Sequence, residues 1–309
     1  MKVTIFGAGN MGTALASNLR QHELTFWTIE EDVYTDLKTN QENSKYLPGI
    51  KFPKAKVTMD SKEALSKAEI MVLSIPSHVV RKAIKGLKMP SNTIIIEVTK
   101  GLEPGTNKRM SELINEELIN PVISVGGPSI ANELANKIPT YVVYASTNKE
   151  SLSIVKKAFE SDYYHINTTS DIIGVELCGA LKNIIAILCG ISDGLGNGVN
   201  TKAGLITKGL KELKTLVINM GGSEKTINGL AGLGDTVVTC MSEHSRNRRF
   251  GEKIGNGKSV KQAMDEMNQV VEGYKATKLA YELIQTKGLD CPMIKKVYNI
   301  LYENGSVNI

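Results

Sequence analysis

Lys182 is a charged residue in a stretch built for a core. Residues 175–188 read as a helix that is apolar on almost every side, and such a helix is buried. Burying an ammonium costs free energy unless it is paired or neutralised, and loss of water lowers its pKa. A buried, poised ammonium is what the reduction of a carbonyl needs as proton donor. The plainer reading is a lysine that snorkels at a domain edge. Gly179, three residues before Lys182, weakens the helix by roughly 1 kcal/mol relative to alanine. It offers room for a ligand to come close.

Other residues could serve the same chemistry. Asp235 ends Gly229-Leu230-Ala231-Gly232-Leu233-Gly234-Asp235. Three glycines beside an acid suggest close backbone approach and a fixed carboxylate. Asp235 could hold a lysine ammonium by a charge-assisted hydrogen bond or cap a helix. Lys100-Gly101 and Gly127-Pro128-Ser129 each follow a strand-like run, and ligands of open α/β sheets bind beyond the carboxyl ends of strands. Unliganded loops are the alternative at both places. Ser245-Arg246-Asn247-Arg248-Arg249 is a short basic cluster. Arginine meets phosphate with a planar fork, although a solvated helix face would look the same.

A second set of residues points to a dinucleotide. Gly7-Ala8-Gly9-Asn10-Met11-Gly12 is G-x-G-x-x-G, placed after a strand and opening a helix. In that context the glycines permit a tight turn, close approach to a pyrophosphate and close helix–strand packing. The helix N-terminus then offers amides to the phosphates. Glu30 ends the second strand region, where an acid binds the adenosine ribose. Glu31 and Asp32 follow it, so a solvated acidic turn competes with that reading.

The elements that must position these groups alternate in the first half. Strand-like runs at 3–6, 24–29, 70–75, 93–98, 122–125 and 141–145 are separated by helical stretches such as 11–21. Buried strands separated by helices predict a Rossmann-type, doubly wound parallel sheet. Strand signals then almost vanish, and 171–192, 207–220, 259–267 and 272–286 read as helices. The predicted organisation is therefore α/β: a dinucleotide-binding domain over 1–168, then an all-helical substrate and catalytic domain over 169–309.

Composition narrows the class further. The chain has 309 residues, 41% hydrophobic and 22% charged, which suits two globular domains. No uninterrupted apolar stretch suggests a membrane span, and the first residues lack a signal-peptide pattern, so a cytoplasmic location is expected. Cys178, Cys189, Cys240 and Cys291 are scattered without metal spacing, so neither a zinc site nor any other metal is expected. The net charge of +5 suits an anionic small molecule. Aromatic content of 5%, with no basic run interleaved, argues against nucleic acid.

Taken in order, these segments resemble the NAD(P)-dependent glycerol-3-phosphate dehydrogenase family. The likeness runs from residue 7 to at least 272. It adds Asn43 with Tyr46-Leu47-Pro48-Gly49, Pro76-Ser77-His78-Val79-Val80-Arg81, Asp193-Gly194-Leu195-Gly196 and Val271-Glu272-Gly273. The resemblance implies interconversion of dihydroxyacetone phosphate and sn-glycerol 3-phosphate, a small phosphorylated substrate, by a homodimer using NAD or NADP. It implies that Lys182 is the catalytic lysine, with Asn183 beside it and Lys100 and Asp235 positioning lysine and substrate. Arg246 and Asn247 match the phosphate site, with Thr239 and Ser245 nearby. Gly127 and Ser129 fall at a substrate contact. Ala131 and Glu272 match cofactor contacts, to which Lys100 and Arg246 also contribute.

One departure bears on the cofactor. Bacterial members often carry an arginine after the tryptophan of the second strand, facing the NADPH phosphate. Trp27-Thr28-Ile29-Glu30 has no base there, so NAD is slightly favoured. A lysine reaching in, such as Lys51 or Lys54, would weaken that preference. The competing functions are a related dehydrogenase of another small hydroxy acid and a non-catalytic dinucleotide sensor. The basic cluster speaks against the first, and the retained Lys182, Asn183 and Asp235 against the second.

Overall fold

Runs such as Ile70–Leu73 (IMVL) and Ile94–Glu97 (IIIE) are buried at every position, as strands covered on both faces must be. Successive side chains point to opposite faces. Ile70 and Val72 accordingly enter one apolar core, while Met71 and Leu73 enter another. The computed structural model describes residues 1–52, 54–267 and 270–309. These form two units, Met1–Thr99 with Lys108–Ile172, and Lys100–Asn107 with Ile173–Ile309.

The first unit carries ten strands among the described residues: β1 (Lys2–Phe6), β2 (Glu23–Trp27), β3 (Glu42–Asn43), β4 (Leu47–Lys51), β5 (Lys56–Thr58), β6 (Ile70–Leu73), β7 (Ile94–Glu97), β8 (Val122–Gly126), β9 (Thr140–Ala145) and β10 (Tyr164–Thr169). Eight make one sheet in the order β10-β9-β8-β7-β6-β1-β2-β5, and β3 pairs with β4 in a separate hairpin. From β5 through β8 every pairing is parallel. The chain leaves β1 toward β2 on one side and returns on the other as β6. β1 therefore lies at the point where strand order reverses, where such sheets bind ligands.

β3, β4, β5 and β10 are not among the expected strands, and two of the expected ones differ in detail. β9 runs antiparallel to β8, with β10 parallel to β9 beyond it. The β8–β9 connection, residues 127–139, carries the five-residue helix Ala131–Ala135. Apolar composition marks a strand without marking its direction. The second strand also ends earlier than predicted, at Trp27, and Glu30 becomes the residue before the helix Glu31–Asn40.

The regular elements of the second unit's described residues are helices, while Lys100–Asn107 is a loop. The longest helix, Ile172–Gly194, is long and apolar enough to cross a membrane by length and composition, yet 89% of that window is buried inside the protein. It is a core helix. Against it lies Arg246–Gly255, the predicted basic cluster, which is helical. The two approach backbone to backbone. A Cβ on Gly190 would fall 1.9 Å from the Arg248 carbonyl oxygen, and one on Gly251 would fall 2.0 Å from that of Ile187. Only glycine fits at either place. Glu272–Lys287 and Pro292–Tyr302 complete the bundle.

Candidate active site

Four groups predicted from separate parts of the sequence meet inside the second unit. Lys182 and Asp235 are 3% and 1% exposed, and their side chains form an ion pair. Lys100 Nζ lies 2.9 Å from the other Asp235 carboxylate oxygen. Lys182 Nζ also donates to Thr239 Oγ1 at 2.8 Å, and that hydroxyl donates to the Asp235 carbonyl at 2.6 Å. What faces Gly179 is the Lys100 side chain, in ordinary contact, so the glycine's neighbour is the second lysine.

The electrostatics of the cluster follow from burial. Loss of water drives the Lys182 ammonium down to about 7; Asp235 opposes this and the charge of Lys100 adds to it. Burial also works against the Asp235 carboxylate, but Lys100 and Lys182 outweigh it and hold its pKa below the ordinary value. Two lysines and one carboxylate make an excess of positive charge in a nearly dry place.

Local sequence explains how Asp235 reaches that position. Leu230–Gly234 is a π-helical turn leading directly into Asp235–Met241. A wide turn of this kind re-aims the helix that follows it, and such turns recur at functional sites. Gly232 permits the turn, since a Cβ there would fall 2.0 Å from the Ile227 carbonyl oxygen. Ser245 caps the next helix by accepting the Arg248 amide at 3.3 Å, which sets Arg246 and Asn247 in its first turn. Asn247 donates to Asn183 Oδ1 at 2.9 Å and accepts from the Gly273 amide at 2.9 Å. Glu272, beside Gly273, interacts electrostatically with Arg246.

The remaining predicted residues lie in the first unit. Gly7 has φ +109°, and a Cβ there would fall 2.5 Å from the Ser74 carbonyl oxygen. Gly12 packs against Gly7 in the same way, whereas a Cβ on Gly9 would meet nothing within 4 Å. The helix Asn10–Asn18 has no side-chain cap at its N-terminus and no acid in its first turn. Open space before uncapped amides fits a pyrophosphate, and Asn10 and Met11 stand at that end. Gly127 (φ +106°) follows β8, and Ser129 Oγ donates to its carbonyl at 3.2 Å. Ala131 opens the short helix after that loop.

Residues without a periodic signal complete the first unit's site. Asn43, fully buried, donates to the Ala8 carbonyl at 2.7 Å and to Thr13 Oγ1 at 3.0 Å. Asn10 donates to the Tyr46 carbonyl at 2.9 Å. The turn between β3 and β4 is thereby tied to the glycine loop. Glu30 is held by Lys45 Nζ at 2.5 Å and lies 3.0 Å from the Tyr46 hydroxyl. Lys51, one of two lysines expected near Glu30, pairs with Glu42 instead. Among the described residues no group of three or more His, Cys, Asp or Glu is gathered for a metal ion, and all four cysteines are buried.

A dinucleotide-type sheet with its glycine loop at the switch point, joined to a helical unit holding a buried lysine–carboxylate pair, defines a nicotinamide-dependent dehydrogenase. The N-terminal family profile of NAD-dependent glycerol-3-phosphate dehydrogenase matches residues 2–152, and the C-terminal profile matches 171–309. A glycerol-3-phosphate dehydrogenase [NAD(P)+] of Thermoanaerobacter sp. (strain X514) is 44% identical, with 98% of this chain and 93% of that protein covered. One from Clostridium perfringens is 45% identical over the same shares. The crystal structure of the Coxiella burnetii glycerol-3-phosphate dehydrogenase superposes with a TM-score of 0.92 at 37% identity, covering 99% of this chain and 96% of that one. This chain belongs to the NAD-dependent glycerol-3-phosphate dehydrogenase family.

Proposed function

We infer that this chain interconverts dihydroxyacetone phosphate and sn-glycerol 3-phosphate with NAD(H) or NADP(H). Family membership and the names of its relatives support the substrate. The observation that carries the chemistry is the buried pair of Lys182 and Asp235. The nicotinamide, when bound, supplies the hydride to the C2 carbonyl carbon or takes it back. Lys182 gives its proton to the carbonyl oxygen as that oxygen becomes a hydroxyl, and accepts it again in the reverse direction.

An ammonium has three N–H donors. In Lys182 two are committed to Asp235 and Thr239, which leaves the third for the substrate oxygen. Asp235 orients the ammonium, and Lys100 adds positive charge where negative charge develops, a preorganised field of the kind that dominates many catalytic effects. Asn183 holds Asn247 in place. Arg246 anchors the substrate phosphate with its planar fork, and Asn247, Ser245, Thr239, Lys100, Gly127 and Ser129 complete the substrate contacts. Binding energy at the phosphate then orients the remote C2.

On the cofactor side, Gly7, Gly9, Asn10, Met11 and Gly12 take the pyrophosphate and Glu30 the adenosine ribose. Lys100, Ala131, Arg246 and Glu272 follow from the family resemblance, as do a homodimer and a cytoplasmic location. NADH is used at least as well as NADPH. The domains act as a nucleotide-binding half (1–168) and a catalytic half (169–309).

The test is loss of NADH or NADPH absorbance when dihydroxyacetone phosphate is added, with non-phosphorylated keto acids as controls. Lys182→Ala should lower kcat by about 10²–10⁴-fold and leave the NADH Kd close to wild type. A variant retaining more than about a tenth of kcat, against acid–base effects of that size, would remove Lys182 as the proton donor.

A further inference from the structure

The first unit holds a charged corner that the reaction chemistry does not use. Lys45 occupies the turn between β3 and β4, and its ammonium lies 2.5 Å from Glu30 and 2.9 Å from Asp32. The turn itself is well anchored. Asn10 and Asn43 tie it to the glycine loop, and the Ser44 amide and hydroxyl both donate to Asp36 at 2.7 Å. The backbone around Lys45 is thus fixed, while its side chain is 45% exposed and long enough to turn. The two acids would repel a phosphorylated ribose, and Lys45 offsets one of their charges.

We propose that Lys45 sets which nicotinamide dinucleotide this enzyme accepts: its ammonium rests on Glu30 and Asp32 and transfers to the ribose 2′-phosphate of NADPH, so that an acidic pocket of the NAD type also takes the phosphorylated cofactor. The inference rests on Glu30 being the ribose contact. Three observations carry it. No arginine follows Trp27, so the usual planar fork is missing from this strand end. Lys45 is the cation bonded to Glu30, whereas Lys51 is engaged with Glu42. Exposed ion pairs contribute little to stability, so Lys45 can leave its acids at small cost, and a lysine meets phosphate as a mobile point charge.

Equilibrium binding tests this without turnover. Trp27, the single tryptophan, ends β2 and stacks on Phe6 at 3.8 Å between ring centroids, so its fluorescence reports on this corner. Kd values for NADH and NADPH should be measured by Trp27 quenching in wild type and in Lys45→Met, Lys45→Arg and Glu30→Gln. Lys45→Met should weaken NADPH about tenfold, the size of one hydrogen bond to a charged group, and leave NADH nearly unchanged. Lys45→Arg should restore NADPH binding, which a merely structural role for the turn would not predict. The salt dependence of NADPH binding should flatten in Lys45→Met, because screening acts on the lost contact. An unchanged NADPH-to-NADH ratio in Lys45→Met, while Glu30→Gln alters NADH binding, overturns the proposal and keeps the ribose site. An unchanged NADH Kd in Glu30→Gln overturns the ribose assignment and the proposal with it.

Discussion

Two clusters in this chain are made of the same groups, lysine against carboxylate, and differ in the water that reaches them. Around Glu30, the side chains of Lys45, Glu30 and Asp32 are 45%, 34% and 62% exposed. Around Asp235, the side chains of Lys182 and Asp235 are 4% and 1% exposed, and water reaches the cluster at Lys100, 28% exposed. Two unit charges about 4 Å apart attract by about 1 kcal/mol in water and about 4 kcal/mol at an effective dielectric of 20. The exposed cluster can therefore rearrange around a ligand. The buried one cannot let a charge go unpaired, and it answers burial by shifting pKa values instead. Exchange of partners suits the first cluster and titration the second.

The largest expected effect breaks the buried cluster. Asp235→Asn removes the one carboxylate shared by two ammoniums. It should cost about 3–5 kcal/mol in denaturant unfolding near neutral pH, the usual price of leaving a buried charge uncompensated, and lower kcat by about 10²–10⁴-fold. The stability cost should grow as pH falls below about 7, where Lys182 holds its proton in the wild type, and level off in alkali. A cost that does not change as pH falls through about 7 would mean that Lys182 and Asp235 are not electrostatically linked.

A middle-sized effect needs no mutation. Lys182 has a folded pKa of about 7 against an ordinary 10.5. Between those values the unfolded chain holds a proton that the folded chain has released, so this residue's contribution makes stability rise with pH across that window. Reduction of the ketone needs the protonated form, so its kcat should fall over the same range. Stability and rate therefore move in opposite directions. A reduction rate flat to about pH 10, near the unperturbed lysine value, would show that the buried ammonium is not the donor.

The smallest effect probes the exposed cluster. Glu30→Arg should shift the ratio of kcat/KM toward NADPH by about tenfold, or 1.4 kcal/mol, and the shift should weaken as salt is added. Equal ratios in wild type and variant, compared at one ionic strength, would show that Glu30 does not face the ribose.

Much of this comparison was legible in the sequence, though unevenly. Lys182 stood out because a charge in an apolar helix is anomalous, and Asp235 because glycines crowd before it. Their meeting was a reasoned expectation, since a buried ammonium needs a partner. The β3–β4 turn was not foreseen. Two-residue β3 has no alternation to detect, and Asn43, Asn10 and Tyr46 act through long-range hydrogen bonds that leave no periodic trace. Nothing in the sequence separates Lys45 from other surface lysines such as Lys51 and Lys54. The direction of β9 was hidden because its apolar residues would suit either sense. That Lys100–Asn107 joins the helical unit was likewise invisible, because chain order does not report which body a loop belongs to.

The pair of asparagines in the helical unit has a consequence of its own. The Gly273 amide can only donate, so Asn247 must present its oxygen there and its nitrogen to Asn183. Asn183 must in turn receive on oxygen and give from nitrogen, to the Gly179 and Ala180 carbonyls at 3.3 Å. One backbone N–H thus dictates the orientation of two side chains on two other helices, and the chain of bonds reads in a single direction. Exchange of an amide for a carboxylate is then not symmetrical between the two positions. An aspartate at 247 would still receive from Gly273 but would set oxygen against oxygen at Asn183. An aspartate at 183 would still receive from Asn247 but would face two carbonyls with nothing to give them. Spontaneous deamidation at either residue would accordingly leave a different scar.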